Sequence, residues 1–361
     1  MNLKVLDMSR VLAGPVCSMI LGDLGADVIK VERPGEGDET RGWGPPFDKD
    51  GMTAYFLAIN RNKKSIAVDL ADARGRQLVL DLIRDADVVL DNFLPGSLDR
   101  LDIDADAILE RHPSLIWCTI SGFGPESKRP GYDFVVQAES GWMAISGESK
   151  GSPMKVGVAL ADVIAGKDAT IAILAAVAER ATGQLAKDKR RINVSLADSA
   201  RASLVNVAQN VLVSGIDARR WGNAHPNLVP YQLFDAADRP LVIAVGSDAQ
   251  WHECASALGL DNLADDEALR SNAGRVEKRE RVVAAVANRV REERAQHWID
   301  LLQKVGVPCG LVKSVAEALE GTNANARTGV PPSVPGSVRL SPPKLDEHGD
   351  VIRSLGWRAF G

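Results

Sequence analysis

Two aspartates stand at places where a carboxylate could take part in a reaction. Asp162 lies in GVALADVIAG, where an apolar run gives way to a long apolar helix, and Asp133 follows Tyr132 in GYDFVVQAESG. Two carboxylates that flank one centre can supply a nucleophile or a base. The structural alternative is equally simple, because Asp is a common helix N-cap and Asp162 could do no more than cap its helix.

Alternating elements in the first 120 residues would position these groups. The predicted strands, separated by helical segments, are LKVLDM, DVIKVERP, KSIAVDL, DVVLDNF and SLIWCTISGFG. Strand–helix alternation with short connections predicts βαβ units and a parallel sheet. Ligands of such sheets bind beyond the C-terminal ends of the strands.

The whole chain is predicted to be an α/β protein in three parts. Residues 1–205 form a large Rossmann-like domain, 206–325 a smaller α+β domain around the hairpin YQLFDAADRPLVIAVG, and 326–361 an extended segment that returns to the large domain. That last segment contains Pro331, Pro332, Pro335, Pro342 and Pro343. So many prolines argue against a packed helix there.

Composition and missing motifs exclude several classes of protein. The net charge of −5 argues against a nucleic-acid partner, and no apolar run approaches the ~18 residues of a membrane span. Scattered cysteines and histidines, without CxxC or HExxH, predict no metal site. Neither GxGxxG nor GxxxxGK[ST] occurs, which disfavours a nicotinamide dehydrogenase or a P-loop ATPase. The N-terminus reads as a strand rather than a signal peptide, which predicts a cytoplasmic protein.

Side chains at the predicted strand ends could bind a phosphorylated ligand. Arg33 ends one strand, while Asn92 and Phe93 end another, with Arg100 further along the same loop. Arginine grips phosphate bidentately, and an amide or an aromatic ring could hold a base. A single arginine here could be only a solvated surface charge, but several such loops together favour a binding edge.

In their order along the chain, several motifs resemble the family III CoA-transferases, the CaiB/BaiF type that includes α-methylacyl-CoA racemases. The similar motifs are SRVLAGP, LGDLGADVIKVERPGEGD, NRNKKSIAVDL, DNFLPGSLDRL, GYDFVVQAESG, VGVALADVIAG, GNAHPNLVPYQLF and GVPCG. They span the chain from Leu6 to about His348. Within the family, TRGWGPPF and HPNLVPYQ are most similar to succinyl-CoA:dicarboxylate transferases of the glutarate-using kind.

This resemblance implies a mechanism, a ligand and an assembly. Asp162 matches the family's nucleophile, which forms an aspartyl–acyl anhydride and then an aspartyl-CoA thioester, with Tyr132 and Asp133 bordering the reaction centre. CoA or an acyl-CoA is the substrate, a small carboxylic acid is its partner, and no tightly bound cofactor is implied. The matching CoA-contact positions are Val11, Ala13, Arg33, Asn92, Phe93 and Arg100. The family fold is a Rossmann-like large domain and a small domain in an interlocked homodimer.

Two alternatives to a CoA-transferase remain open from the sequence. The racemase branch carries a GHD motif, but Tyr132 replaces its histidine here, and a phenol with a pKa of about 10 is a poor base at neutral pH. A non-catalytic CoA-binding protein would use Asp162 only as a cap. A dicarboxylate partner would call for a buried arginine, and Arg41 is one candidate.

Overall fold

The computed structural model describes residues 2–361, which form two compact units. The large unit contains the chain up to Met143, Lys155–Ile216 and Gly321–Gly361, and the small unit contains Ala144–Met154 and Asp217–Glu320. Within residues 2–361, no helix combines the length and the apolar character needed to cross a bilayer.

A six-stranded sheet forms the centre of the large unit. Its strands are β1 (Lys4–Asp7), β2 (Asp27–Glu32), β3 (Lys63–Ala67), β4 (Val88–Asp91), β5 (Ile116–Ser121) and β6 (Arg191–Ser195). They run parallel in the order β3-β2-β1-β4-β5-β6. Since both faces are covered, the central strands are largely apolar and buried, and all four residues of β4, Asp91 included, are buried. The predicted α/β fold with a parallel sheet is therefore confirmed.

Helices cover both faces of this sheet. The helices of the first 216 residues, of which α9 has no buried residue, are α1 (Ala13–Asp23), α2 (Ala54–Ile59), α3 (Ala73–Arg84), α4 (Ala105–Arg111), α5 (Asp133–Glu139), α6 (Trp142–Ile145), α7 (Leu160–Ala181), α8 (Leu196–Ala202) and α9 (Val205–Ser214). Helices α1 and α7 pack closely, and a Cβ on Gly166 would meet the backbone oxygen of Ala13 at 2.5 Å. Only glycine permits that approach, which fixes α7 against the start of α1.

The small unit pairs a three-stranded antiparallel sheet with a helical layer. Its further elements are β7 (Tyr231–Asp235), β8 (Pro240–Ala244), α10 (Asp248–Ala257), α11 (Asp261–Ala264), α12 (Asn272–Glu277), α13 (Arg279–Val290), α14 (Ala295–Lys304), β9 (Cys309–Leu311) and α15 (Val315–Leu319). The predicted hairpin is confirmed as β7–β8, and β9 pairs with β8. Val282, Val286 and Val290, four residues apart on α13, are all buried in the core of this unit.

The tail differs in part from its prediction. It is irregular through its prolines, but helix α16 (Gly349–Leu355) and a 3-10 turn follow, with Ile352 buried in the large unit. Because no proline occurs after Pro343, the backbone N–H groups needed for a helix are available there. The segment before α16 covers the edge strand β3, where His348 N–H donates to Ser65 O at 3.1 Å and Ala67 N–H to Asp346 Oδ1 at 2.7 Å.

Candidate active site

Asp162 lies in the first turn of α7, not at its cap. The N-cap is Ala159, so the interpretation of Asp162 as the N-cap is wrong. Its carboxylate is half-buried and accepts no hydrogen bond from any side chain or N–H group of residues 2–361. Burial first, and then the negative charge of Asp133, raise the pKa of Asp162 to about 7. The chain thus holds an unpaired carboxylate near the midpoint of its titration at neutral pH.

The capping function belongs to Asp133, which reaches α7 from a different helix. Its Oδ1 accepts hydrogen bonds from the N–H groups of Ala161 at 2.8 Å and Asp162 at 3.4 Å. Asp133 is the first residue of α5 and is buried. It therefore stabilises the start of α7 and brings a second carboxylate next to Asp162.

A buried glutamine holds Asp133 in this position. Gln137, one turn along α5 and fully buried, donates from Nε2 to Asp133 Oδ2 at 2.6 Å. Its Oε1 accepts from the N–H of Val156 at 2.9 Å, in the segment that leads into α7. Gln137 thus ties α5, Asp133 and the entry to α7 together.

A cleft opens beside Asp162 at the C-terminal edge of the sheet. It encloses about 890 Å³, part of it open to solvent, and lies at the ends of β1, β4 and β5. In the order β3-β2-β1-β4-β5-β6, the pair β1 and β4 is the point where the strand order reverses, which is where such sheets bind ligands. Among residues 2–361, no three His, Cys, Asp or Glu side chains are grouped so as to hold a metal ion.

Six of the nine residues singled out from the sequence line this cleft: Val11, Ala13, Asn92, Phe93, Tyr132 and Asp162. Asp133 is buried beside it and contacts the start of α7. Arg33 lines a second, neighbouring cleft, and Phe93 lines both. Arg100 lines neither of the two; it is exposed and donates from Nη2 to Ser97 Oγ at 3.0 Å.

Two neighbouring helix starts differ in the N–H groups that they offer to a ligand. On α7, the N–H of Leu160 donates to Val158 O at 2.8 Å, and the next two are bound by Asp133. The start of α7 therefore has no free donor in its first three residues for an oxyanion. On α1, by contrast, the N–H groups of Ala13 and Gly14 have no acceptor among residues 2–361. Of these two helix starts, only that of α1 offers free backbone donors to the cleft.

A buried ion pair shapes the turn before α1. Val11 has φ +70°, and its N–H donates to Asp38 Oδ1 at 3.3 Å. The other oxygen of Asp38 lies 2.9 Å from Lys30 Nζ, and both side chains are fully buried. Burial alone would raise the pKa of Asp38, but the charge of Lys30 and the N–H of Thr40 outweigh it and lower that pKa to about 2. A permanently ionised Asp38 thus holds Val11 in place.

Residues near Asp162 that sequence reasoning missed come from a loop and a short helix. Tyr55 on α2 is half-buried; burial and the charges of Asp162 and Asp133 raise the pKa of Tyr55 to about 12. The ring of Trp43 packs edge-on against Tyr55, with 5.1 Å between centroids. Nothing local in MTAYFLAI indicates this proximity. Arg10 also lines the cleft. The sequence could have indicated it, because Arg10 follows soon after β1 and ligands bind beyond the C-terminal ends of parallel strands.

Arg41 is not free to bind the second carboxylate of a dicarboxylic acid. Its Nε and Nη2 donate to both oxygens of Glu32 at 2.7 and 2.8 Å, and Nη2 also donates to Pro343 O at 3.1 Å. The guanidinium also stacks on Phe56, 3.6 Å from the ring centroid. Arg41 therefore joins β2 to the tail.

A half-buried carboxylate with a raised pKa, at the switch-point cleft of a doubly wound sheet, is typical of the active site of an α/β enzyme. The model of CoA-transferase family III matches residues 1–348. The chain is 42% identical to the succinyl-CoA:glutarate CoA-transferase of Mus musculus over 320 residues, which are 88% of this chain and 72% of the relative. It is 36% identical to the acetyl-CoA:oxalate CoA-transferase of Acetobacter aceti, over 98% of this chain and 94% of the relative.

A solved structure agrees with these sequence relatives. The crystal structure of a CaiB/BaiF family protein from Brucella suis matches with a TM-score of 0.85 and 40% identity, over 98% of this chain and 97% of that chain. The chain belongs to CoA-transferase family III. It is accordingly a CoA-transferase that acts on CoA thioesters and carboxylic acids.

Proposed function

We propose that the enzyme moves CoA from succinyl-CoA to a dicarboxylic acid through covalent intermediates on Asp162. The observation that carries this proposal is the Asp162 carboxylate itself, which faces the cleft without a hydrogen-bonding partner and has a pKa of about 7. A desolvated carboxylate with a raised pKa is a better nucleophile than a solvated one. The choice of acids is supported by the relatives' names, since glutarate and oxalate are both dicarboxylates.

The first half of the reaction transfers CoA to the protein. An Asp162 oxygen attacks the thioester carbonyl of succinyl-CoA; a C–O bond forms, the C–S bond breaks, and an aspartyl–succinyl anhydride and a CoA thiolate result. The thiolate then attacks the aspartyl carbonyl, succinate leaves as a carboxylate, and an aspartyl-CoA thioester remains.

The second half repeats these steps with the acceptor. Its carboxylate attacks the aspartyl-CoA thioester and gives a new anhydride with the CoA thiolate; the thiolate attacks the acceptor's acyl carbon and releases free Asp162. One thioester replaces another of similar energy, so the sequence needs no cofactor besides CoA. Water has to be kept from the anhydride while it exists.

The remaining site residues take roles in binding CoA and the reacting acyl group. The free N–H groups at the start of α1 would hold a phosphate or the oxyanion, since those of α7 are occupied. Tyr132 and Asp133 border the reacting carbonyl. The proposed CoA contacts are Val11, Ala13, Arg33, Asn92, Phe93 and Arg100.

Mass spectrometry after mixing the protein with succinyl-CoA tests the covalent mechanism. We expect a CoA-sized adduct on the peptide that contains Asp162, and a reduced side chain at that position after borohydride treatment. Asp162→Asn, which keeps the shape of the side chain, should give neither signal and no turnover. Full transfer activity in that variant would refute the mechanism. A panel of mono- and dicarboxylic acceptors then tests the substrate class.

We also propose that two chains assemble as the interlocked homodimer of the family. Helix α9 supports this: none of its residues is buried, and Leu212 and Val213 are 77% and 78% exposed. An apolar helix left in water is a typical protein contact surface, and a second copy of the chain would cover it. Light scattering should show a dimer, and Leu212→Glu with Val213→Glu should reduce its mass to that of a monomer. A wild-type monomer would contradict this proposal.

A further inference from the structure

Hydrogen bonds fix the backbone of Arg10, but most hydrogen-bond donors of its guanidinium group have no acceptor in the part of the chain that the structure describes. Asn92 accepts from the N–H of Arg10 at 3.0 Å and donates to its carbonyl oxygen at 2.7 Å. The guanidinium lies over Phe93, 5.4 Å from the ring centroid, on the wall shared by the two clefts. Only Nη1 is bonded, to Glu39 Oε1 at 2.6 Å, while Nε is buried and has no partner among residues 2–361.

Glu39 is the ion-pair partner of Arg10, and its hydrogen bonding is also incomplete. The same Oε1 also accepts from Arg33 Nη2 at 3.1 Å, so two guanidinium groups converge on one carboxylate oxygen. Glu39 Oε2 is buried and has no hydrogen-bond partner within residues 2–361. The three side chains are 34%, 36% and 53% exposed for Arg10, Glu39 and Arg33 respectively. Ion pairs at such exposure contribute little net stability and are exchanged readily.

We propose that the Glu39 carboxylate occupies the place of a phosphate group of the CoA ester and yields Arg10 and Arg33 to that phosphate when the ligand binds. A phosphate offers three acceptor oxygens and more negative charge than a carboxylate, so it can satisfy the guanidinium donors that Glu39 leaves unbonded. Glu39 then acts against ligand binding, because it competes for the arginines and repels the arriving anion. It lowers the positive charge of the empty site and weakens the affinity for CoA.

A purely structural role for Glu39 predicts the opposite result. A carboxylate whose function is to orient Arg10 and Arg33 would aid ligand binding, and removal of that carboxylate would weaken ligand binding. The orphaned Arg10 Nε and Glu39 Oε2 argue against this alternative, because a fully structural pair would bond both atoms. The sign of the effect of Glu39→Gln on CoA affinity therefore separates the two roles.

Calorimetric titration with CoA, dephospho-CoA and pantetheine provides the test. Glu39→Gln should bind CoA about three- to tenfold more tightly than the wild type, while pantetheine, which lacks phosphate, should bind unchanged. Glu36→Gln is the matched control, since Glu36 also pairs with Arg33, at 3.5 Å, but does not contact Arg10. Arg10→Met should weaken CoA binding and reduce the gain from Glu39→Gln when the two are combined.

Each outcome decides the proposal. A gain for both CoA and dephospho-CoA assigns the diphosphate to this place, and a gain for CoA alone assigns the 3′-phosphate. Weaker or unchanged CoA binding by Glu39→Gln, an equal gain for pantetheine, or an equal gain in Glu36→Gln would overturn it. The proposal rests on the CoA-binding role proposed for the cleft, but the titration needs no turnover. A missing adduct on Asp162 would therefore refute the mechanism and leave the affinity comparison intact.

Discussion

Asp133 accepts a hydrogen bond from the backbone N–H of Asp162 at 3.4 Å and places its own charge beside the Asp162 carboxylate. One side chain thus has two opposing effects on the site. It stabilises the helix that carries the nucleophile, and it makes that nucleophile harder to ionise. Besides burial, the ionisation of Asp162 therefore depends on a contact between residues 29 positions apart in the chain.

The rate of transfer should depend on pH through Asp162. Because its pKa is raised to about 7 and only the ionised form attacks, kcat/KM should fall about tenfold for each pH unit below that value. Initial rates with succinyl-CoA between pH 5 and 9 would show this limb. A rate that stays level down to pH 5 would mean that Asp162 is fully ionised there, contrary to the structure.

Asp133→Asn should shift the midpoint of the kcat/KM profile to lower pH. The amide oxygen can still accept from the N–H of Ala161, but the negative charge that raises the pKa of Asp162 is gone. The midpoint of the kcat/KM profile should then fall by about one pH unit. Asp168→Asn is the control: Asp168 lies on α7, the helix of Asp162, and accepts a hydrogen bond from Ser199. This substitution should leave the midpoint of the profile unchanged. An unshifted midpoint in Asp133→Asn would show that burial alone sets this pKa.

Asp162→Asn should stabilise the protein at alkaline pH. The pKa of this carboxyl group rises from its ordinary value of 3.8 to about 7 in the folded chain, so the folded state is favoured at low pH and loses this advantage as pH rises through 7. Removing the charge should raise the free energy of unfolding more at pH 8 than at pH 5, by on the order of 2–3 kcal/mol. Urea unfolding of both proteins at pH 5 and pH 8 measures this difference. Equal changes in unfolding free energy at the two pH values would contradict the raised pKa of Asp162.

Gly166→Ala should damage both stability and catalysis. The new Cβ would lie 2.5 Å from Ala13 O, so α7 must move away from α1 and carry Asp162 with it. We expect a loss of about 1–3 kcal/mol in unfolding free energy and a fall in kcat. Gly157→Ala is the matched control, because a Cβ there meets nothing within 4 Å. Similar losses in both variants would argue against the helix contact as the cause.

How far the sequence predicts this protein depends on the range of the contacts involved. Strand–helix alternation predicts the parallel sheet, and the strand-end rule places Asn92 and Phe93 at the cleft, because both depend on local order along the chain. The cap that Asp133 supplies to α7 and the pairing of Arg41 with Glu32 join separate elements. No spacing within one segment indicates either contact, so the capping role that the sequence offered as an alternative for Asp162 belongs instead to Asp133.

The tail that covers β3 also limits when the protein can fold during synthesis. Asn62, just before that strand, bonds to Leu340, and the two are 278 residues apart. At roughly 5–20 residues per second, a ribosome needs about a quarter of a minute to a minute to make the intervening chain. Throughout that time the edge of β3 is open to pairing with other strands. Protection of this edge from incorrect pairing therefore depends on the last part of the chain to be made.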